Sequence, residues 1–237
     1  MITSLDNKQV KNWYKLHQKK YRDKNYLILD ESLVLLAYEN NYLETLVYIK
    51  DKPFAFDNAY EVSEEVLKKI SKNKDIKYLG IGKKIIENIS YSKRIIILDN
   101  LQDPLNIGRI MESAYVFGFN DILLSNNSAD IYNEKCLLAS KGYIFKLNIK
   151  HVNLIETIKE LKENNYKVYA TALTNNTKNI YQIEDYEKMA FILGNEGSGV
   201  EKELIDISDE VIKIDMANID SLNVGMAGAI IMHRFNI

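Results

Sequence analysis

Short apolar runs bounded by polar or small residues recur along the chain, and stretches with helical periodicity lie between them. Residues 4–24 read as a helix that interleaves Lys and Arg with Trp13, Tyr14, His17 and Tyr21. Residues 26–30 and 45–49 read as strands, with a helix over 31–40 between them. Residues 63–71 read as a short helix with Ser63 as its N-cap. Gly80-Ile-Gly82 is too weak a glycine pair to mark a nucleotide site and reads as a loop. In the second part the alternation is clearer. Strands are expected at 94–98, 121–124, 144–149, 167–172, 189–193 and 211–214, and helices at 106–117, 132–140, 153–164, 200–206 and 222–234. Short apolar strands alternating with helices argue for a mostly parallel sheet covered on both faces. The pattern divides the chain into a small α/β domain over 1–90 and a larger α/β domain over 91–237. A linker is expected at 87–93.

Composition narrows the class. The chain has 237 residues, 46% hydrophobic and 27% charged, as expected of a globular protein. No apolar run approaches the roughly 18 residues a membrane span needs, and the first residues lack the apolar core of a signal peptide. A single cysteine, Cys136, allows no internal disulfide and fits a reducing cytoplasm. One Cys and three scattered His (His17, His151, His233) give no metal-ligand spacing, so no metal is expected. Cys136 reads as a small residue near the interior, and His233 as a last-helix residue without a catalytic partner.

The net charge of −2 conceals an asymmetry. Residues 1–25 carry seven Lys or Arg against Asp6 and Asp23, which is +5 and leaves −7 for the rest. A basic end on a slightly acidic protein suggests a local anionic partner.

Candidate chemistry concentrates at three segments. Asp99-Asn-Leu-Gln-Asp103-Pro104-Leu-Asn106-Ile-Gly108-Arg109-Ile-Met-Glu112-Ser113-Ala114 opens a helix, with Pro104 suited to its start. Phe191-Ile-Leu-Gly194-Asn195-Glu196-Gly197-Ser198-Gly199 and Ile214-Asp-Met216-Ala-Asn-Ile-Asp-Ser221-Leu222-Asn223-Val224 are apolar strands that end abruptly in small and polar residues. Strand ends of this kind leave backbone groups free to hold a ligand, and ligands of open α/β sheets bind outside the carboxyl ends of the strands.

In these three segments, in their order and spacing, the chain resembles the SpoU/TrmH family of SPOUT methyltransferases. The resemblance implies a C-terminal α/β domain with a trefoil knot, a feature that sequence physics would not predict. It implies transfer of a methyl group from S-adenosylmethionine to a ribose 2′-hydroxyl of RNA, by a homodimer with its site at the subunit interface. By position, cofactor contacts fall on Gly194, Ile214, Met216, Leu222 and Asn223. Active-site positions fall on Asn106, Glu196, Ser221 and Asn223. The N-terminal part is similar to the RNA substrate-binding domain of many members, on Ser4-Leu-Asp-Asn-Lys-Gln-Val-Lys11 and Lys19-Lys-Tyr-Arg22. Lys11, Lys19, Lys20 and Arg22 are therefore candidate RNA contacts. The fused domain favours ribosomal over transfer RNA by analogy of architecture alone.

The chemistry agrees with this resemblance. Methyl transfer to a hydroxyl is an in-line displacement, so alignment supplies much of the rate. The acceptor oxygen must also lose a proton. Asn106, Ser221 and Asn223 can orient a ribose by hydrogen bonds.

One departure bears on activity. Glu112 stands where the family carries an arginine credited with activating the hydroxyl, and Arg109 sits one turn earlier. Three readings stay open: Arg109 takes over part of the role, Glu112 itself acts as base, or the site is impaired and the protein is a non-catalytic RNA-binding dimer. A methyltransferase with a different acceptor atom is a further class. Asp215 stands in place of the family's proline, and Asn218 in place of its glycine. Plainer readings stand beside these: Arg109 and Glu112 as a surface ion pair, Asn106 as a helix-start residue, and Trp13 and Tyr21 as core residues.

Overall fold

The computed structural model describes residues 1–85, 91–174, 177–218 and 221–236. Residues 87–90 of the expected linker lie outside the described residues. The chain forms two units, Met1–Ile86 with Tyr132–Phe145, and Glu87–Ile131 with Lys146–Ile237.

In the first unit, α1 (Lys8–Lys15) starts at Asn7, whose side chain accepts from the Gln9 N–H at 2.8 Å. Val10, Trp13 and Leu16 repeat at helical spacing and are buried. The helix is shorter than the 4–24 expected. Its end is closed by Arg22, whose Nε donates to Leu16 O (2.7 Å) and whose NH2 group donates to His17 O (2.8 Å). A 3₁₀ turn, Lys19–Tyr21, follows. Next come β1 (Asn25–Ile28), α2 (Glu31–Glu39), β2 (Leu43–Tyr48), β3 (Ala59–Glu61), α3 (Glu64–Ser71) and β4 (Tyr78–Lys83). Ser63 caps α3 as expected, its Oγ accepting from the Val66 N–H at 3.3 Å.

Their sheet runs β1-β4-β2-β3. Gly80-Ile-Gly82 is therefore not a loop. It lies inside β4, which pairs antiparallel with both β1 and β2. Glycine is used there for room: a Cβ on Gly82 would stand 2.5 Å from Tyr26 Cζ, and one on Gly80 would stand 2.8 Å from Leu43 Cδ1.

The second unit is built from β5 (Arg94–Leu98), α4 (Pro104–Val116) and β6 (Asp121–Ser125). After α5 (Glu134–Ala139), which belongs to the first unit, come β7 (Asn148–Val152), α6 (Leu154–Glu163), β8 (Lys167–Thr171) and β9 (Lys178–Asn179). The unit ends with β10 (Met189–Leu193), α7 (Lys202–Ile207), β11 (Glu210–Lys213) and α8 (Val224–Arg234).

The sheet order is β7-β6-β5-β10-β8-β11-β9, and its pairs are parallel. All five residues of β5 and of β10 are buried, as helices on both faces require. Residues 132–145 depart from the boundary expected at 90. Tyr132 packs against Tyr26 (centroids 4.4 Å), and Phe145 stacks on Tyr42 (5.6 Å). For the same reason the strand expected at 144–149 begins later. Ile144 and Phe145 are buried in a 3₁₀ turn rather than in β7.

The last helix is held twice. α8 packs on α4, where a Cβ on Gly228 would meet Ile110 Cγ1 at 3.5 Å, and against β10, where it would meet Leu193 Cδ1 at 2.9 Å. Below it, the buried Arg94 donates to Phe235 O (3.1 Å), Tyr186 O (2.7 Å) and Glu187 O (2.8 Å), and pairs with Asp185 (2.5 Å).

Candidate active site

The loops after β8, β10 and β11 and the start of α8 enclose a cavity of about 610 Å³ at the carboxyl edge of the parallel sheet. The loop after β10 turns tightly on itself. Asn195 and Gly199 exchange backbone hydrogen bonds (3.0 and 2.9 Å), with Gly199 at φ +72°. A Cβ on Gly194 would lie 2.2 Å from Gly199 C and Val200 N, so no other residue fits there without moving the backbone. Asn195 organises the turn. Its Oδ1 accepts from the Gly197 (2.8 Å) and Ser198 (3.2 Å) N–H groups, and its Nδ2 donates to Asn100 O at 2.7 Å. Asn100 adopts a left-handed φ of +52°. Its N–H donates to Ser125 Oγ at 2.8 Å. Asp99, almost fully buried, accepts from the Glu201 N–H at 2.8 Å, and burial pushes its carboxyl above the ordinary range.

Every cofactor position expected from the sequence lines this cavity: Gly194, Ile214, Met216, Leu222 and Asn223. Glu196 and Ser221 line it as well. Asn106 does not, but hydrogen bonds tie it to the rim. Asn106 Nδ2 donates to Glu196 Oε1 (2.9 Å), and Asn106 Oδ1 accepts from Asn223 Nδ2 (3.1 Å). Asn223 caps α8 by accepting from the Gly225 and Met226 N–H groups (3.0 and 3.3 Å). Asn106 is not the helix-start residue of α4. Asp103 is, its Oδ1 accepting from the Leu105 N–H at 2.9 Å with Pro104 following.

Arg109 and Glu112 line a separate, shallower groove of about 530 Å³ between α4 and α8, with Val116, Phe117, Gly225, Met226 and Ala229. The groove reaches the Asn106–Asn223 pair at Gly225. Its Cβ position is 3.1 Å from Asn223 Oδ1, 3.5 Å from Arg109 Cβ and 3.8 Å from Asn106 Oδ1. Asp215 is tied to β9 and β11, accepting from Asn179 Nδ2 (2.5 Å) and pairing with Lys213 (3.1 Å), contacts that hold its carboxyl below the usual range. Asn218 is not among the described residues with positive φ.

The N-terminal candidates divide. Lys19 and Lys20 are exposed on the 3₁₀ turn, and Lys11 is exposed beside Asp6 (2.8 Å). Arg22 has a structural task, adding a bond from its NH1 group to Tyr132 O (3.2 Å) to those that close α1. Trp13 is buried, whereas Tyr21 faces solvent. Asp99, Asn100 and Asn195 belong to the quoted motifs, and their positioning roles emerge only in the structure. The available signal was Asx residues flanking glycines, which favour such turns.

A cavity of this size suits a nucleoside-bearing molecule. Its lining combines apolar side chains (Leu193, Leu222, Ala227, Ile231) with the small and polar residues of the Gly194–Gly199 turn. Fold and site thus define an α/β protein that can hold a cofactor at the carboxyl edge of a parallel sheet, beside an amide–carboxylate hydrogen-bond chain.

Comparison with known proteins makes this specific. Residues 93–233 match the model of the SpoU rRNA Methylase family. The chain is 30% identical over 243 aligned residues to the 23S rRNA (guanosine(2553)-2′-O)-methyltransferase RlmP of Bacillus subtilis, covering 98% of each. Crystal structures of an rRNA methyltransferase from Sinorhizobium meliloti superpose with TM-scores of 0.88, and 0.87 with S-adenosylmethionine bound. Identities are 26% and 25%, and the match covers 98% of this chain and 95% of those. The chain belongs to the SpoU rRNA methylase family, with the SPOUT fold, and is an S-adenosylmethionine-dependent RNA methyltransferase. Among the described residues no helix is long and apolar enough to cross a membrane, and no group of three or more His, Cys, Asp or Glu could hold a metal.

Proposed function

We propose that the protein methylates a ribose 2′-hydroxyl of ribosomal RNA in the cytoplasm, as a homodimer whose knotted C-terminal domain carries the site. The observation that carries the reading is the Asn223–Asn106–Glu196 hydrogen-bond chain at the rim of the cavity. The bound cofactor supplies an electrophilic methyl group on a sulfonium. The chain's own residues supply alignment and a place for the proton. Leu222 and the Gly194–Gly199 turn bind the adenosyl part, and Ser221, Asn106 and Asn223 orient the ribose. Glu196, exposed and with Oε1 engaged by Asn106, accepts the hydroxyl proton or orients the ribose. Glu196→Gln separates the two: lost turnover with cofactor binding retained marks a proton acceptor, and retained turnover marks orientation.

The geometry around Gly225 favours Arg109 as the cation of the site, since its stem borders the same spot as Asn106 and Asn223. Glu112 stands one turn further along the groove. The same groove supports the dimer: Val116 and Met226 on it are each 58% exposed, a large apolar exposure for a lone subunit. Sedimentation should give a dimer for the wild type and a monomer for Met226→Arg.

The decisive experiment pairs calorimetric titration with S-adenosylmethionine and methyl incorporation into ribosomal RNA lacking its 2′-O-methyl groups. One cofactor per subunit with methyl incorporation supports the proposal. Cofactor binding without incorporation into ribosomal or transfer RNA would instead support the impaired reading through Glu112.

A further inference from the structure

We infer that the 3₁₀ turn Lys19–Tyr21, together with the end of α1, docks unpaired nucleotides of the RNA, with Tyr21 as the residue on which a base stacks. The inference rests on the RNA reading above and goes beyond it by naming the face and the form of RNA it takes. Tyr21 is 42% exposed, unlike the buried Trp13 of the preceding helix. Its ring stands beneath two ammonium groups, Lys15 Nζ at 5.6 Å and Lys20 Nζ at 5.0 Å from the centroid. Lys19 and Lys24 are exposed in the same stretch. From Tyr14 to Lys24 the chain carries five cations against Asp23 alone. Tyr14, 39% exposed, meets His17 edge to face.

The platform is braced from below. Arg22 donates to three backbone carbonyls, of Leu16, His17 and Tyr132. His17 Nε2 lies 2.8 Å from Ile70 O. A ring displayed on an ordered turn loses little entropy when a partner covers it.

The combination of an exposed aromatic ring and mobile lysine side chains beside it, which a base and its phosphates can draw off the ring, selects the form of RNA. A duplex hides its base faces in its own stack and would engage the lysines alone. A single strand offers both a free base for the ring and phosphates for the ammonium groups. Arg22 is a positioning residue in this scheme rather than a contact.

The test is fluorescence anisotropy of the full-length protein with a labelled single-stranded oligouridylate and a duplex RNA of equal length. Tyr21→Ala should weaken single-strand binding about tenfold or more while leaving duplex binding unchanged. Tyr21→Phe should restore it, because the ring face is kept. Lys19→Ala with Lys20→Ala should weaken both, and lower the single-strand salt slope by roughly 1.4. Thermal midpoints should match wild type, since these side chains are exposed. Tyr21→Ala that binds both probes like wild type, or weakens both equally, overturns the inference alone. Lysine variants without effect on either RNA overturn it in favour of an acidic protein partner. A wild type that binds cofactor but neither RNA overturns it together with the RNA reading.

Discussion

Gly82 in β4 and Gly194 at the end of β10 both exclude a side chain, but for different reasons. Above Gly82 lies the ring of Tyr26, so the missing Cβ makes room for packing between neighbouring strands. Above Gly194 lies the protein's own backbone at Gly199 and Val200, and the missing Cβ lets the turn fold back on the strand. One glycine serves the interior of the small sheet. The other shapes the cavity at the edge of the large one. A neighbour that is a side chain can give way in part, whereas a neighbour that is backbone must carry the loop with it. Glycine at a strand end therefore points to a site more strongly than glycine within a strand.

The largest expected effect comes from Gly194→Ala. The 2.2 Å collisions should displace the turn, abolish S-adenosylmethionine binding by calorimetry, and cost more than about 3 kcal/mol, beyond ordinary overpacking. Cofactor binding at wild-type strength would break the distinction between the two glycines.

Asn106→Ala comes next. It unlinks Glu196 from Asn223 and should lower methyl transfer about 100-fold, with cofactor affinity changed little, because Asn106 does not line the cavity. Single-turnover assays beside calorimetry would show the split.

Gly82→Ala should cost about 1–3 kcal/mol by denaturant unfolding while leaving cofactor binding intact. Loss of binding there would show that the small sheet shapes the site as well.

Two smaller effects sharpen the picture. Among the described residues Tyr26 Oη is buried without a hydrogen-bond partner, so Tyr26→Phe should leave stability unchanged or raise it by about 1 kcal/mol. Asp99 has a folded pKa raised by burial. Its protonated form favours the fold, a contribution present below the unfolded pKa and lost as pH rises through the folded one. Asp99→Asn should therefore raise the melting temperature slightly at pH 7, with the gain vanishing near pH 3. A loss at pH 7 would mean that the charged bond to the Glu201 N–H outweighs desolvation.

The strands of the large sheet were legible because β5, β8 and β10 are apolar runs between polar boundaries. The helices were legible because their caps are explicit, as at Ser63 and Asp103-Pro104. β4 was not, because Gly-Ile-Gly has the composition of a turn, and only Tyr26 and Leu43 across the pairing explain it. β7 slipped because Ile144 and Phe145 are apolar for a different core than the strand that follows them. Arg22 carries a structural task that was not legible, because sequence shows its charge but not the three carbonyls it serves.

The sequence alone determined the family and singled out the loops that line the cavity, since those depend on residue types at fixed spacing within short segments. Only the tertiary structure decided which of these residues meet. Asn106, Glu196 and Asn223 are far apart in the chain, and their hydrogen bonds exist because β5, β10 and α8 converge at one edge of the sheet. It also decided that Arg109 borders the Asn106–Asn223 pair, while Glu112 stands one turn along the groove. Which side of α4 faces that pair is set by α8 packing on it at Gly225 and Gly228, a contact that no local pattern encodes.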